Sequence, residues 1–231
     1  MRYPYRRRKR RFRAGSILLL VLLCATFLVS CVAGPNALWI KGFFGLDLSD
    51  YRSQTVCATL SPTDQRVEEM VDTLDILLAG SVDLATFSTT SRLMEEYRDA
   101  ILNDLLRDHY SLYMGNPQLL SVAESSYPEA MLSTAIPAKD LEQAVKRHFG
   151  GGSIAHRDGD VYEYLGRSDT YTTVLGPWES SVVLNVLSAE ETQNTYRLYF
   201  TLSDGEHTSA VYCGLFVKRA DGSTYLRSLT V

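Results

Sequence analysis

The chain has 231 residues, of which 45% are hydrophobic and 22% charged, and a formal net charge of −4. That total conceals a division, because the first thirteen positions hold eight of the 23 basic residues. Beyond residue 30 the other 15 basic residues face all 27 acidic ones, a net charge of −12. So acidic a body repels phosphate backbones and anionic headgroups, which argues against nucleic acid as a partner.

The basic residues are Arg2, Arg6, Arg7, Arg8, Lys9, Arg10, Arg11 and Arg13, and uncharged, mostly apolar residues run from Ala14 to Gly34. At about 1.5 Å per residue this stretch reaches roughly the 30 Å of a hydrocarbon core. The far flank carries only Lys41 before Asp47, so the positive-inside rule predicts a cytoplasmic N-terminus and a body outside the cytoplasm. The same stretch also reads as a secretory signal ending in Leu28-Val29-Ser30-Cys31, which resembles the lipobox of bacterial lipoproteins. That resemblance implies cleavage before Cys31 and its lipidation. Three outcomes stay open: a single-pass anchor, a lipid anchor on Cys31, or release by ordinary signal cleavage. The first two place the protein at the cell membrane, held by its N-terminal segment.

Residues 35–60, with Gly42, Gly45, Trp39, Phe43 and Phe44 and no sustained period, are expected to form a juxtamembrane stalk, leaving 61–231 as one extracytoplasmic domain. Ser61-Pro62-Thr63-Asp64 predicts a helix start with Ser61 as N-cap, and Val67, Met70, Val71, Leu74 and Leu78 supply one apolar face up to about Gly80. The cluster Ser88-Thr89-Thr90-Ser91 opens a second, longer helix with Leu93, Tyr97, Ile101, Leu105 and Leu112 on its face, stopping near Gly115-Asn116-Pro117. Gln118 to Thr134 is mixed, a helical turn or a loop. Ile136-Pro137 opens a third helix in which Leu141, Ala144, Val145, His148 and Phe149 share a side, ended by Gly150-Gly151-Gly152.

From Val161 the period changes to two. Tyr162 and Tyr164 share a face, as do Val182, Leu184 and Val186, and Tyr196, Leu198, Phe200 and Leu202 alternate with polar neighbours. Asp204-Gly205 and Asp221-Gly222 mark two tight turns, predicting return strands over Thr208–Lys218 and Thr224–Val231. Helices first and strands second is the α+β pattern: about three helices on an antiparallel sheet of about five to six strands. This order, with the terminal hairpin through Asp221-Gly222-Ser223-Thr224-Tyr225-Leu226, resembles the NTF2-like or cystatin-like lipoprotein domains of Gram-positive bacteria. The resemblance implies a curved sheet with a helix in its concavity, in a family used for ligand or partner binding as often as for catalysis, and it transfers no catalytic residue.

The densest polar stretch runs from His148 to Asp160. Its three glycines follow a helix and lack the lysine of a phosphate loop, so a C-cap and hinge is the reading. His148, His156, Asp158 and Asp160 match no metal-ligand spacing, so neither a metal nor a cofactor is expected. No nucleophile elbow, Ser-x-x-Lys or His-Glu-x-x-His is present, and the adjacent acids Glu68-Glu69 and Glu95-Glu96 read as solvated faces. Cys57 and Cys213 either pair as a disulfide or stay separate thiols, with Cys213 buried in its strand. Beside the glycine hinge, His148, His156, Tyr162, Tyr164 and Tyr171 are the candidate lining of a groove for a glycan, a small molecule or an envelope protein, since tyrosine joins an apolar body to a polar tip. The expectation is a non-enzymatic, membrane-anchored, ligand- or partner-binding domain. The alternatives are an envelope hydrolase or isomerase with its site in the sheet concavity, or a subunit that uses the span itself to pair.

Overall fold

The computed structural model describes residues 55–78, 81–130 and 133–231. The basic segment, the apolar stretch with Cys31 and the expected stalk up to residue 54 lie outside them. Among the described residues no helix is long and apolar enough to cross a membrane.

The domain is α+β. Helix α1 spans Gln65–Asp75, α2 Thr90–Met114, α3 Pro117–Ser126 and α4 Ala138–Phe149. Asp64, not Ser61, caps α1, because its carboxylate accepts from the Arg66 N–H at 3.0 Å while Ser61 to Asp64 form the preceding turn. Val67, Met70 and Leu74 are fully buried along its core side. In α2 the backbone leaves helical geometry at His109 (φ −121°, ψ 18°). The break rotates the apolar face, so Tyr113 is buried and Leu112, expected on that face, is 67% exposed. Helix α3 is additional to the three expected and occupies part of the stretch with no clear period. Asn116 accepts from the Gln118 and Leu119 N–H groups, and Pro117 stands at the first helical position. Helix α4 buries Leu141, Val145 and Phe149 and ends at Gly150 in the left-handed region (φ 81°).

The main sheet is antiparallel and joins β1 (Ala58–Leu60), β5 (Val183–Glu191), β6 (Thr195–Ser203), β7 (Tyr212–Lys218) and β8 (Thr224–Thr230) in that order. Residues 58–60, at the end of the expected stalk, thus form an edge strand paired with Ala189 to Glu191. In β6 the expected alternation is present: Tyr196, Leu198, Phe200 and Leu202 are buried and Arg197, Tyr199 and Thr201 are not. A bulge between Val186 and Ser188 resets the faces of β5, so its buried set continues at Ala189. The return strand starts at Tyr212, later than the period suggested, because residues 204–211 make a longer loop bridged only at Ser203 and Thr208. A second sheet orders β2 (Thr134–Pro137), β4 (Thr170–Thr173) and β3 (Glu163–Leu165). Ile136 is a buried strand residue here, and the helix it was expected to open starts two residues later.

Leu198, Phe200, Leu202, Phe216, Leu226 and Leu229 are fully buried on the helix-facing side of the main sheet, which is filled with apolar side chains. The opposite side carries Val183 and Leu187, more than half exposed. Cys57 is exposed and Cys213 partly exposed, and neither is in a disulfide. Cys213 pairs with Tyr199 across the outward row, which is why the strand does not bury it. Sheet order separates the two cysteines by three strand steps, roughly 14 Å at about 4.8 Å each, well beyond disulfide reach.

Candidate functional site: the cleft between α2 and the glycine-rich loop

Loop 150–162 leaves the C-terminus of α4, crosses the N-terminal half of α2 and enters the small sheet. Hydrogen bonds to α2 hold both of its ends. Thr90 Oγ1 donates to the Gly151 carbonyl at 2.7 Å, and Asp99 Oδ2 accepts from the Asp160 and Val161 N–H groups at 2.7 and 2.8 Å. Gly159 makes the second contact possible, because a Cβ there would stand 1.8 Å from Asp99 Oδ1. Burial holds the Asp99 carboxyl above the usual carboxylate range, against the pull of the two N–H groups.

Behind the loop His156, Tyr164 and Tyr171 form one cluster. The His156 ring stacks on Tyr164 with centroids 5.1 Å apart, and Tyr164 lies 5.1 Å from Tyr171. Nδ1 of His156 is 3.0 Å from the Tyr171 hydroxyl and Nε2 is 3.1 Å from Glu142 Oε1 on α4. Both ring nitrogens are thus engaged, Nδ1 by the Tyr171 hydroxyl and Nε2 by Glu142. Tyr164 donates to Asp169 at 2.7 Å. Tyr171 is fully buried, and burial raises its pKa while Arg98 nearby opposes the rise. A buried phenol bonded to a doubly bonded imidazole orients a scaffold and offers no free base.

The other two candidates lie elsewhere. Tyr162 is buried, its ring centroid 6.2 Å from that of Trp178, with a hydroxyl that has no hydrogen-bond partner. Burial and the nearby Asp99 charge push its pKa up. His148 faces a separate depression with Asp104, Asp108 and Arg147, between α2 and α4, and burial lowers its pKa.

Of the residues that line the cleft between α2 and the loop, the sequence patterns bring out those of the loop and the pair Glu95-Glu96 but not Arg98 or Asp99. A depression of about 240 Å³ is bounded by Ser91, Ser153, Glu95, Arg98 and Arg157. A second, of about 290 Å³, shares Glu95, Arg98 and Arg157 and adds Glu96, Asp99, Asp158 and Asp160. Arg98 is only 5% exposed, donates from one terminal nitrogen to the Asp158 carbonyl at 2.9 Å, and has a buried Nε with no partner. Among the described residues it forms no ion pair, which is uncommon for a buried guanidinium. One signal was available: Met94, Arg98, Leu102 and Leu106 make a buried i, i+4 row on α2 interrupted by one charge. Among the described residues no group of three or more His, Cys, Asp or Glu side chains is placed to hold a metal ion.

No protein family, no curated protein and no solved structure matches the chain. The cleft is therefore read from its own chemistry.

The cluster behind the loop carries a direct prediction. Replacing His156 with alanine leaves the fully buried Tyr171 hydroxyl without its imidazole partner, and Tyr171→Phe leaves His156 Nδ1 and the Arg157 N–H without theirs, so each is expected to cost about 1–3 kcal/mol. Urea unfolding of both variants checks this, and a loss below about 0.5 kcal/mol for either refutes the coupling given to the pair.

Proposed function

We propose that this is a ligand- or partner-binding domain held at the outer side of a cell membrane by residues 1–34, as a single-pass or lipid-anchored protein, and not an enzyme. The observation that carries the binding reading is Arg98, a buried guanidinium without an ion pair at the wall of a polar cleft. A charge buried without an ion pair is costly, and a bound group of opposite charge would offset that cost. The basic run and the apolar stretch after it support the anchor. The apolar filling of the sheet's helix-facing side weighs against a catalytic pocket in the concavity, and the occupied ring nitrogens of His156 weigh against a base beside the loop. Helices covering one side of an antiparallel sheet that ends in a meander support an NTF2-like or cystatin-like plan, to which β1 and the three-stranded sheet are additions.

Chemical crosslinking in intact membranes, followed by purification, tests the binding reading. The full chain is expected to enrich a ligand or partner over a control that keeps only residues 1–60, and no enrichment sinks the proposal. Mass spectrometry of the membrane-extracted protein tests the anchor: a lipidated Cys31 makes it a lipoprotein, an intact N-terminal peptide makes it a span, and an unlipidated N-terminus beyond the apolar stretch refutes both.

A further inference from the structure

We infer that the cleft between α2 and loop 150–162 binds a small zwitterion of the amino-acid type, as a free amino acid or a short peptide. The inference rests on the ligand-binding reading above and names the chemical class. Its carboxylate meets Arg98 and Arg157, and its ammonium meets the acids on the other side of the same arginines.

The two halves of the cleft have opposite character. On one side Arg98 and Arg157 converge with the hydroxyl-bearing Ser91 and Ser153, against the single acid Glu95. Neither arginine forms an ion pair among the described residues, and Arg98 Nε is a buried donor with no acceptor. A planar guanidinium with free donors matches a carboxylate in two parallel hydrogen bonds. On the other side Asp99, Asp158 and Asp160 crowd the same arginines, with Glu95 and Glu96 beyond them. Arg92 pairs with both glutamates, at 2.9 and 2.7 Å, so its single charge offsets one of their two. Asp99 gives Oδ2 to two loop N–H groups while its Oδ1 stays buried without a partner, Asp158 accepts from the Tyr164 N–H at 2.8 Å, and Asp160 is exposed, so the carboxylates of this side are left to face a cation.

This juxtaposition selects against single charges. A bare anion entering for Arg98 meets the carboxylates of Asp158 and Asp160, and a bare amine entering for them meets two arginines. Only a molecule with both charges a few ångströms apart satisfies the two halves together. The size agrees, since about 240 and 290 Å³ lie at the small end of ligand pockets, below the roughly 300–1,000 Å³ of drug-sized sites. Polyanions are excluded by the same acids.

The test is calorimetric titration of the full chain in detergent with the twenty common L-amino acids, glycylglycine, acetate and methylammonium. At least one zwitterion is expected to bind about tenfold or more tightly than acetate and methylammonium, the margin of one charge-assisted pair. Arg98→Met is expected to abolish that binding. Because Arg98 is buried and the variant can fail to fold, Arg157→Gln on the exposed rim is the second variant, expected to weaken binding about fivefold with an unchanged melting temperature. Glycylglycine binding more tightly than every free amino acid assigns the site to peptides, and the reverse order assigns it to free amino acids; either supports the inference. Acetate binding as tightly as the best zwitterion, no zwitterion binding, or an Arg157→Gln variant with full affinity overturns it. If no zwitterion binds while crosslinking still enriches a partner, the zwitterion fails and the binding reading survives. If both fail, both are wrong.

Discussion

Replacing Phe200 with alanine is expected to cost about 3–5 kcal/mol of unfolding free energy, while Val183→Ala on the neighbouring strand changes it by no more than about 0.5 kcal/mol. Both residues sit in the main sheet, and the difference lies in which side they face. Phe200 is fully buried between β5 and β7, its ring 5.7 Å from that of Tyr212 in a stacked arrangement. Deleting the ring opens a cavity that packed neighbours fill only in part. The damage also travels, because the Tyr212 hydroxyl accepts from the Leu84 N–H at 2.9 Å and so anchors segment 81–89. That segment is further held by the Phe87–Leu229 bridge and by Tyr97, whose hydroxyl donates to the Ala85 carbonyl. Val183 is 59% exposed on the opposite side, where losing two methyl groups removes little buried area. Urea midpoints measure both, with comparable denaturant slopes as the check that the unfolding transition is unchanged. A loss below about 1.5 kcal/mol for Phe200→Ala would mean that the apolar filling of the sheet is looser than its burial implies.

The readable parts of this fold were those in which one face is buried and the other is not. The alternation in β6 and the apolar rows of α1 and α4 follow from that asymmetry, and each is visible in the order of residues alone. Elements that lacked it escaped. Helix α3 buries only Ala123 completely and has no apolar period, although the Asn116-Pro117 pair that caps it is legible. Strands β1 and β4 are three and four residues long, and β4 is buried on both sides, so neither shows an alternation. Bulges and the His109 break shift a face by one position, which a fixed period cannot anticipate.

The site was legible in part. The run from His148 to Asp160 drew attention to the right loop, and His156, Tyr164 and Tyr171 do come together behind it. Position in the chain misassigned the others. His148 and His156 are eight residues apart, yet α4 points the first at α2 while the loop carries the second to the small sheet. Arg98 escaped for a different reason. It belongs to an apolar row on a helix some 60 residues upstream, and only the folding of loop 150–162 across α2 reveals that it lines a cleft.

Gly159 and Asp99 are expected to be the tightest coupling in that cleft. Gly159→Ala places a methyl group 1.8 Å from Asp99 Oδ1, far inside contact distance, so either the loop or the carboxylate must move. The carboxylate resists, because its other oxygen holds the Asp160 and Val161 N–H groups. The expected loss is about 1–3 kcal/mol, the range for overpacking a fixed site. Asp99→Ala orphans the two N–H groups and costs about 1–3 kcal/mol, whereas Asp99→Asn keeps an acceptor for both and costs less. In the double variant Gly159→Ala with Asp99→Ala the clash is gone, so the combined loss is expected to fall below the sum of the single ones by about 1 kcal/mol or more. Strict additivity would place the strain of Gly159→Ala somewhere other than Asp99. Titration adds an independent handle on the same pair. The Asp99 carboxyl is raised above its unfolded value, so its contribution to stability is complete below the ordinary carboxylate range and is lost as pH rises through the raised value. Asp99→Asn carries no titrating group and flattens that part of the stability profile just above the ordinary range. An unchanged slope between wild type and Asp99→Asn would assign the burial of charge to another carboxyl.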